Sequence, residues 1–231
     1  TNTMRINYNP FVNIVRDAQR KVNYIATDNA RRSAFQIIND LKKGQRSFML
    51  IGSYGTGKSS FLWAFQQSLL RTANHFAVNY AKKDSVRLIN LVGSYTSLRT
   101  ALQEYFDLDG ATDKVLFSEL YNQYHDIKGE QPLLLVCVDE FGKFLEYAAK
   151  NQPEEELYFI QQLLEFINDP ERQIVLLSTV HQNIDAYGFS LSNTQKQEWT
   201  KIKGRFRELT FNEPVEQLLL LAATHLDDQP K

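Results

Sequence analysis

The most chemically specific stretch of this 231-residue chain is a glycine-rich loop at residues 52 to 59, reading Gly-Ser-Tyr-Gly-Thr-Gly-Lys-Ser. Its glycines permit backbone conformations that a Cβ would forbid, so successive N–H groups can turn inward around a phosphate. Lys58 is spaced to reach the β- and γ-phosphates, and the Ser59 hydroxyl to bind a Mg²⁺ ion that bridges them. The predicted triphosphate-binding residues are Gly52, Ser53, Tyr54, Gly55, Thr56, Gly57, Lys58, Ser59 and the adjacent bystander Ser60.

The sequence around the glycine-rich loop supports this interpretation. Residues 47–51 are apolar enough for a buried strand, and residues 60–70 carry apolar side chains at helical spacing. The loop is therefore predicted to join a strand to a helix, whose positive end would reinforce anion binding. A glycine-rich turn without a nucleotide is the alternative, and this context disfavours it.

A second candidate is a pair of acids at the end of an apolar strand. Residues 133–138 are all apolar, and Asp139 and Glu140 follow them, 81 residues beyond Lys58. Neighbouring strand residues point in different directions, so the two acids can take different roles. Asp139 would hold the Mg²⁺ through water, and Glu140 would orient the water that attacks the γ-phosphate. The alternative is a pair that only caps the next helix.

A third candidate lies at the tip of the predicted strand 173–179. A polar side chain there could contact the γ-phosphate or the attacking water, because ligands of open α/β sheets bind at the carboxyl ends of the strands. Thr179 is the first choice, with His181 and Gln182 behind it. Strands also end in such residues for turn chemistry alone, and this alternative stays open.

A basic segment, Lys-Ile-Lys-Gly-Arg-Phe-Arg at 201–207, precedes the last predicted strand. One interpretation is an arginine that neutralises the γ-phosphate bound by a neighbouring subunit, with Arg205 preferred to Arg207. A second is a small nucleic-acid patch, and a third is an ordinary solvated face.

Apolar strands alternate with amphipathic segments along the chain. This rhythm predicts a three-layer α/β domain with a central, mostly parallel, five-stranded sheet. The predicted strands are 47–51, 86–92, 133–138, 173–179 and 207–211, and the predicted helices are 31–43, 58–70, 97–106, 114–126, 154–168 and 214–226.

Composition narrows the function classes. The 26 basic and 27 acidic residues create no global basic field, and the single cysteine, in an apolar run, excludes a disulfide framework. The apolar runs are too short to cross a bilayer, so we expect a cytoplasmic protein without a membrane partner.

The four histidines lack metal-ligand spacing, and no nucleophile elbow is present. A guanine-reading motif is also missing, since Ala-Lys-Lys-Asp at 81–84 lacks the first residue and falls too early.

In motif order, residues 20 to 226 resemble the AAA+ ATPases of the group with an additional strand and a catalytic glutamate. The resemblance implies that the glycine-rich loop is Walker A, that Asp139 and Glu140 are Walker B, and that Thr179 or a neighbour is sensor 1. It also implies that Arg205 is the arginine finger. Tyr24 and Ile25 are placed like the segment that packs on adenine.

The same resemblance divides the chain into a linker and adenine-packing segment at 1–30, an ATPase core at 31–212, and the first helix of a truncated lid or of a following domain at 213–231. The rest of the family's lid is missing, which leaves its second sensor unassigned.

Residues 139–149, His181-Gln182 and 198–206 more closely resemble large prokaryotic multidomain ATPases, some of them from phage-defence loci. This resemblance implies ATP and Mg²⁺ as ligands, and either a homo-oligomer or further domains of a longer chain. Nucleic acid and protein are both candidate clients. The sequence leaves open whether ATP drives a motor or holds together an assembly switch with little turnover.

Overall fold

The computed structural model describes residues 13–16 and 24–213, and its centre is a five-stranded sheet in the order β2-β3-β4-β1-β5. All four strand pairs are parallel, which confirms the predicted fold class. The strands are β1 (Ser47–Ile51), β2 (Val86–Val92), β3 (Leu133–Asp139), β4 (Ile174–Val180) and β5 (Arg207–Thr210).

Strand register brings the carboxyl ends of the strands to one edge of the sheet. Ile51 at the end of β1 pairs with Val180 of β4 on one side and with Thr210 of β5 on the other. Asp139 at the end of β3 pairs with Val92 of β2. The loops that follow β1, β3 and β4 therefore emerge side by side.

Helices cover both faces of the sheet. They are α1 (Asp28–Lys42), α2 (Lys58–Leu69), α3 (Leu98–Tyr105), α4 (Asp113–His125), α5 (Gly142–Lys150), α6 (Pro153–Ile167), α7 (Ile184–Tyr187) and α8 (Asn193–Gly204). Five of them match predicted helices within a few residues, whereas α5, α7 and α8 were not predicted. The predicted helix 214–226 and the linker before residue 13 lie outside the described residues.

Two apolar clusters, one on each face, fix the sheet between these helices. In β1, Met49 belongs to one cluster, while Phe48 and Leu50 belong to the other, as the alternation of a strand requires. β3 and β4 are buried along their whole length, because helices cover them on both sides. The thiol of Cys137 is free and buried, and burial raises its pKa to about 12, so it serves packing.

The glycine-rich loop is held tightly against the end of β5. A Cβ at Gly52 would lie 1.9 Å from the carbonyl oxygen of Phe211, so no larger residue fits there. Gly55 and Gly57 have φ angles of 74° and 84°, a region that side-chain-bearing residues rarely adopt. Gly57 is also the N-cap of α2, so the loop passes directly into the helix.

Candidate nucleotide-binding and catalytic site

A cavity opens where the loops after β1, β3 and β4 meet, and we call it the loop cavity. Its lining residues are Tyr54, Gly55, Thr56, Gly57, Lys58, Ser59, Ser60, Asp139, Glu140, Thr179, Val180 and His181. Most of the residues predicted to bind phosphate, metal and water therefore surround one space. Gly52 and Ser53 contribute backbone carbonyls just behind it.

The backbone of the glycine-rich loop presents free donors. Among the described residues, no backbone hydrogen bond has the N–H of Gly55, Gly57, Lys58 or Ser59 as its donor, whereas the Phe61 N–H donates to Gly57 O as part of α2. These amides stand at the N-terminus of a helix, where the backbone carries partial positive charge. The loop thus offers an anion a row of unsatisfied donors.

Lys58 extends back along the loop that carries it. Its Nζ donates to the carbonyl oxygens of Gly52 and Ser53, the latter at 2.8 Å, and to Thr56 Oγ1 at 3.3 Å. Burial lowers the pKa of Lys58, and the negative charges of Asp139 and Glu140 oppose that shift. These three acceptors of the ammonium group are all neutral, so an anion in the loop cavity would be its first close counter-charge.

Asp139 connects three elements through its carboxylate. The Ser59 hydroxyl donates to its Oδ2 at 2.5 Å, and the Thr179 hydroxyl donates to its Oδ1 at 2.6 Å. The backbone N–H of Glu140 donates to both Thr179 Oγ1, at 2.9 Å, and Asp139 Oδ1, at 3.1 Å. Asp139 and Thr179 are 5% and 1% exposed, so the network is shielded from water. The glycine-rich loop, β3 and β4 are thereby locked together at the cavity.

Glu140 leaves this network in a different direction from Asp139. Its backbone is left-handed, with φ of 54°, and its side chain is about one-third exposed. Its Oε2 lies 3.1 Å from Lys143 Nζ on the first turn of α5. The two acids therefore take different directions, one buried and hydroxyl-bonded and the other at the cavity surface, and the left-handed backbone of Glu140, rather than strand alternation, sets the difference.

His181 forms another wall of the loop cavity. In the sequence it is the second choice, after Thr179, for the polar residue at the tip of β4. Its ring stacks on Tyr54 of the glycine-rich loop, with centroids 4.3 Å apart and planes inclined by 20°. The Tyr187 hydroxyl lies 3.0 Å from its Nδ1 and accepts from the His181 N–H at 3.4 Å. Burial first, and then the positive charge of Lys58, lower the pKa of His181. The neutral ring bonded to Tyr187 is thus favoured beside the lysine.

Two predicted sites lie away from the loop cavity. The Tyr24 ring packs edge-on against His75 and Phe76, and both Tyr24 and Ile25 are half-buried just before α1. Arg205 precedes β5 and so lies at the amino-terminal end of that strand, whereas the loop cavity lies at the carboxyl ends of the strands. Its Nη2 lies 2.9 Å from Glu165 Oε1 on α6. Arg205 is therefore engaged with α6 and is not among the residues that line the loop cavity.

The residues of the loop cavity fit a triphosphate with Mg²⁺. Free amides and a buried ammonium group suit phosphate, while the adjacent oxygens of Ser59 and Asp139 are the hard ligands that Mg²⁺ prefers. Across the described residues, no group of three or more His, Cys, Asp or Glu side chains is arranged to hold a metal ion by itself. The same part of the chain contains no helix long and apolar enough to cross a membrane.

Comparison with solved structures places this fold among known ones. The ORC2 protein of Aeropyrum pernix, solved as ADPNP–ADP complexes, superimposes with a TM-score of 0.62 at 17% identity, covering 90% of this chain and 54% of that one. Drosophila ORC bound to DNA gives 0.55 at 14% identity, covering 91% and 49%. A DNA replication initiation factor gives 0.51 at 13% identity, covering 89% and 53%.

These similarities show the AAA+ ATPase fold, which confirms the resemblance at the level of architecture. The chain spans about half the length of the solved proteins that it matches. No family model and no curated protein matches the sequence.

Proposed function

We propose that this chain binds Mg²⁺-ATP in the loop cavity and hydrolyses it, as the ATPase module of a larger assembly. The observation that carries the proposal is the Asp139 carboxylate, which joins the Ser59 hydroxyl of the glycine-rich loop to Thr179 at the tip of β4. A turn without a nucleotide has no need for a buried acid at this point. The nucleotide complexes of the Aeropyrum protein support the choice of ligand.

Each residue has a distinct part in this proposal. The loop amides and Lys58 bind the phosphates, and Ser59 and Asp139 hold Mg²⁺, which would neutralise charge that develops on the phosphate oxygens. Glu140, at the cavity surface, orients a water molecule and takes its proton. Thr179 fixes Glu140 by bonding to its backbone N–H. His181 and Tyr54 shield the cavity from bulk water.

The distance of Arg205 from its own cavity favours an assembled enzyme. An arginine at the amino-terminal end of β5 can complete the site of a neighbouring subunit. Its ion pair with the exposed Glu165 is weak, so the arginine can leave Glu165 for a phosphate. The Drosophila relative is DNA-bound, so DNA is the first client to test. A role in phage defence is supported only by the sequence resemblance of residues 139–149, His181-Gln182 and 198–206 to ATPases of such loci.

A slow assembly switch is the second candidate, and the contact between Lys143 and Glu140 favours it. Glu140 Oε2 lies 3.1 Å from Lys143 Nζ, so this oxygen is engaged by an ammonium group and must leave it before it can hold a water molecule. Turnover by the isolated chain is then expected to be low. If DNA, RNA or a partner protein raises turnover, the ATPase proposal is favoured, whereas nucleotide-dependent assembly without turnover favours the switch.

Two substitutions test the proposal. Lys58→Ala should abolish binding of Mg²⁺-ATP, because it removes the buried positive charge. Glu140→Gln should leave binding within about threefold and lower turnover at least about a hundredfold, because the base is lost.

Calorimetry measures the binding of Mg²⁺-ATP, and the rate of phosphate release measures turnover. The exposed residues Lys82 and Glu154 supply matched controls as Lys82→Ala and Glu154→Gln. Wild-type protein that is folded yet binds no purine triphosphate would refute the proposed function. Equal loss of binding in both site variants would contradict the separate roles.

A further inference from the structure

The carboxylate of Glu213 is only half satisfied by the protein. Glu213 follows β5 by three residues and is 7% exposed. Its Oε1 accepts a hydrogen bond of 2.6 Å from the hydroxyl of Thr27. Its Oε2 is buried and has no hydrogen-bond partner among the described residues. A buried acceptor without a donor is destabilising, so this oxygen is suited to a donor that the described residues do not supply.

Tyr24 lies three residues before Thr27, the hydrogen-bond partner of this carboxylate. Burial first, and then the negative charge of Glu213, raise the pKa of Tyr24. The Tyr24 ring meets those of His75 and Phe76 edge-on, with centroids 5.3 Å and 5.9 Å away. His75 Nε2 is also buried without a partner in the described part of the chain. An apolar wall with unsatisfied polar atoms is the usual composition of a site that orients a flat heterocycle.

Strand order places Glu213 on the nucleoside side of the glycine-rich loop. β1 lies between β4 and β5, and the acids and Thr179 that surround the γ-phosphate end are on the β4 side. A triphosphate lying along the loop therefore directs its α-phosphate and nucleoside toward β5. The Gly52 backbone touches Phe211 O there, and the Phe211 N–H donates to Ile51 O at 2.7 Å.

We propose that Glu213 Oε2 accepts a hydrogen bond from the exocyclic 6-amino group of adenine and so selects ATP over purine nucleotides without that group. The inference rests on the proposed function, whose phosphate site it extends. An ionised carboxylate only accepts hydrogen bonds. Guanine and hypoxanthine carry a carbonyl oxygen at the 6-position, so they would bring one acceptor against another.

The first test needs no substitution. Binding of ATP, purine riboside 5′-triphosphate and ITP to the 231-residue protein with Mg²⁺ is compared by calorimetry. The second nucleotide lacks only the 6-amino group, and the third replaces it with oxygen. ATP should bind about tenfold to a hundredfold more tightly than either, as expected for a hydrogen bond to a charged group.

Glu213→Gln tests the residue itself. The glutamine oxygen can keep the bond from Thr27, while its amide group replaces Oε2 with a donor. ATP should lose about tenfold in affinity and ITP should gain, so the preference shrinks or reverses. Glu208→Gln is the matched control, because Glu208 on β5 also has a buried oxygen without a partner among the described residues. Thermal unfolding verifies that each variant is folded.

The outcomes separate the two proposals. Equal affinity of the wild-type protein for ATP and purine riboside triphosphate would overturn the role of Glu213 while leaving ATP binding intact. Unchanged selectivity in folded Glu213→Gln would overturn it as well. Failure of the folded wild-type protein to bind all three triphosphates would instead refute the phosphate site, and this inference with it.

Discussion

Replacing Thr179 by valine should separate the structural and catalytic parts of the cavity network. Valine keeps the size and branching of threonine but removes the hydroxyl, which donates to Asp139 Oδ1 at 2.6 Å and accepts from the Glu140 N–H at 2.9 Å. Thr179 is only 1% exposed, so water cannot replace these contacts. The Glu140 N–H retains its bond to Asp139 Oδ1, so no donor is left entirely unpaired.

The size of the effect follows from these contacts. A hydrogen bond to a charged group contributes about 1.5–3 kcal/mol, and a neutral one adds roughly 0.5–1.5 kcal/mol. The free energy of unfolding should therefore fall by about 2–4 kcal/mol in Thr179→Val. Thr179→Ser keeps the hydroxyl and loses one buried methyl group, which should cost about 1 kcal/mol.

Urea unfolding measures the stability difference, and phosphate release with saturating Mg²⁺-ATP measures turnover. Loss of the hydroxyl removes one of the two acceptors of the Glu140 N–H, which holds that residue less firmly, and a misplacement of about 1 Å can cost roughly a hundredfold in rate. We expect turnover in Thr179→Val to fall by at least about tenfold, with ATP affinity little changed. If valine and serine variants are equally stable and equally active, the network does not support the site as described.

Three further predictions concern other parts of the molecule. Arg205→Ala should change the free energy of unfolding by less than about 1 kcal/mol, because the ion pair of Arg205 with α6 is exposed. If the arginine acts across an interface, mixing the Arg205→Ala and Glu140→Gln proteins should restore phosphate release. No restoration at any mixing ratio would count against an arginine that acts in the neighbouring subunit. His75 has a pKa lowered by burial, so its stabilisation is complete above about pH 6.5 and declines as pH falls from there toward the folded-state pKa; His75→Phe should flatten the dependence of melting temperature on pH between about 7.5 and 5, and an unchanged slope would contradict this. A Cβ at Gly142 would lie 2.2 Å from the Tyr187 hydroxyl, so Gly142→Ala should destabilise by about 1–3 kcal/mol in urea unfolding, and a neutral result would show that Tyr187 moves freely.

The sheet was predictable because its strands carry strong local signals. The apolar run 133–138 is long enough to identify a strand buried on both faces, and the structure places it inside the sheet between β2 and β4. β4 is identifiable in the same way, whereas β2 has its apolar residues interrupted by Arg87 and Asn90 and is only partly buried. Parallel pairing then follows from the alternation of strands and helices.

The missed helices have weak or misleading signals. α8 buries only Trp199 and Ile202, so its sequence shows little helical periodicity. α5 begins at Gly142, two residues after Glu140, where a glycine is typical of a turn. Its position depends on the Tyr187 hydroxyl packed against that glycine, a contact that connects distant parts of the chain.

The residues of the candidate site could be predicted from the sequence, but the hydrogen bonds that connect them could not. The spacing of the motifs alone predicts that Ser59, Asp139 and Thr179 meet at one edge of the sheet. Which hydroxyl bonds to which carboxylate oxygen depends on side-chain rotamers that sequence spacing does not determine. The Tyr54 and His181 stack joins two loops far apart in sequence, and neither ring belongs to a periodic pattern.

The absence of a side chain at Gly52 has a mechanical consequence. With the loop backbone seated directly on Phe211, nothing compressible separates the two segments. A shift of the loop by a few tenths of an ångström would therefore press on the backbone of Phe211. A phosphate that moves this loop on binding would thus act directly on the backbone that follows β5, with no side chain in between to absorb the movement.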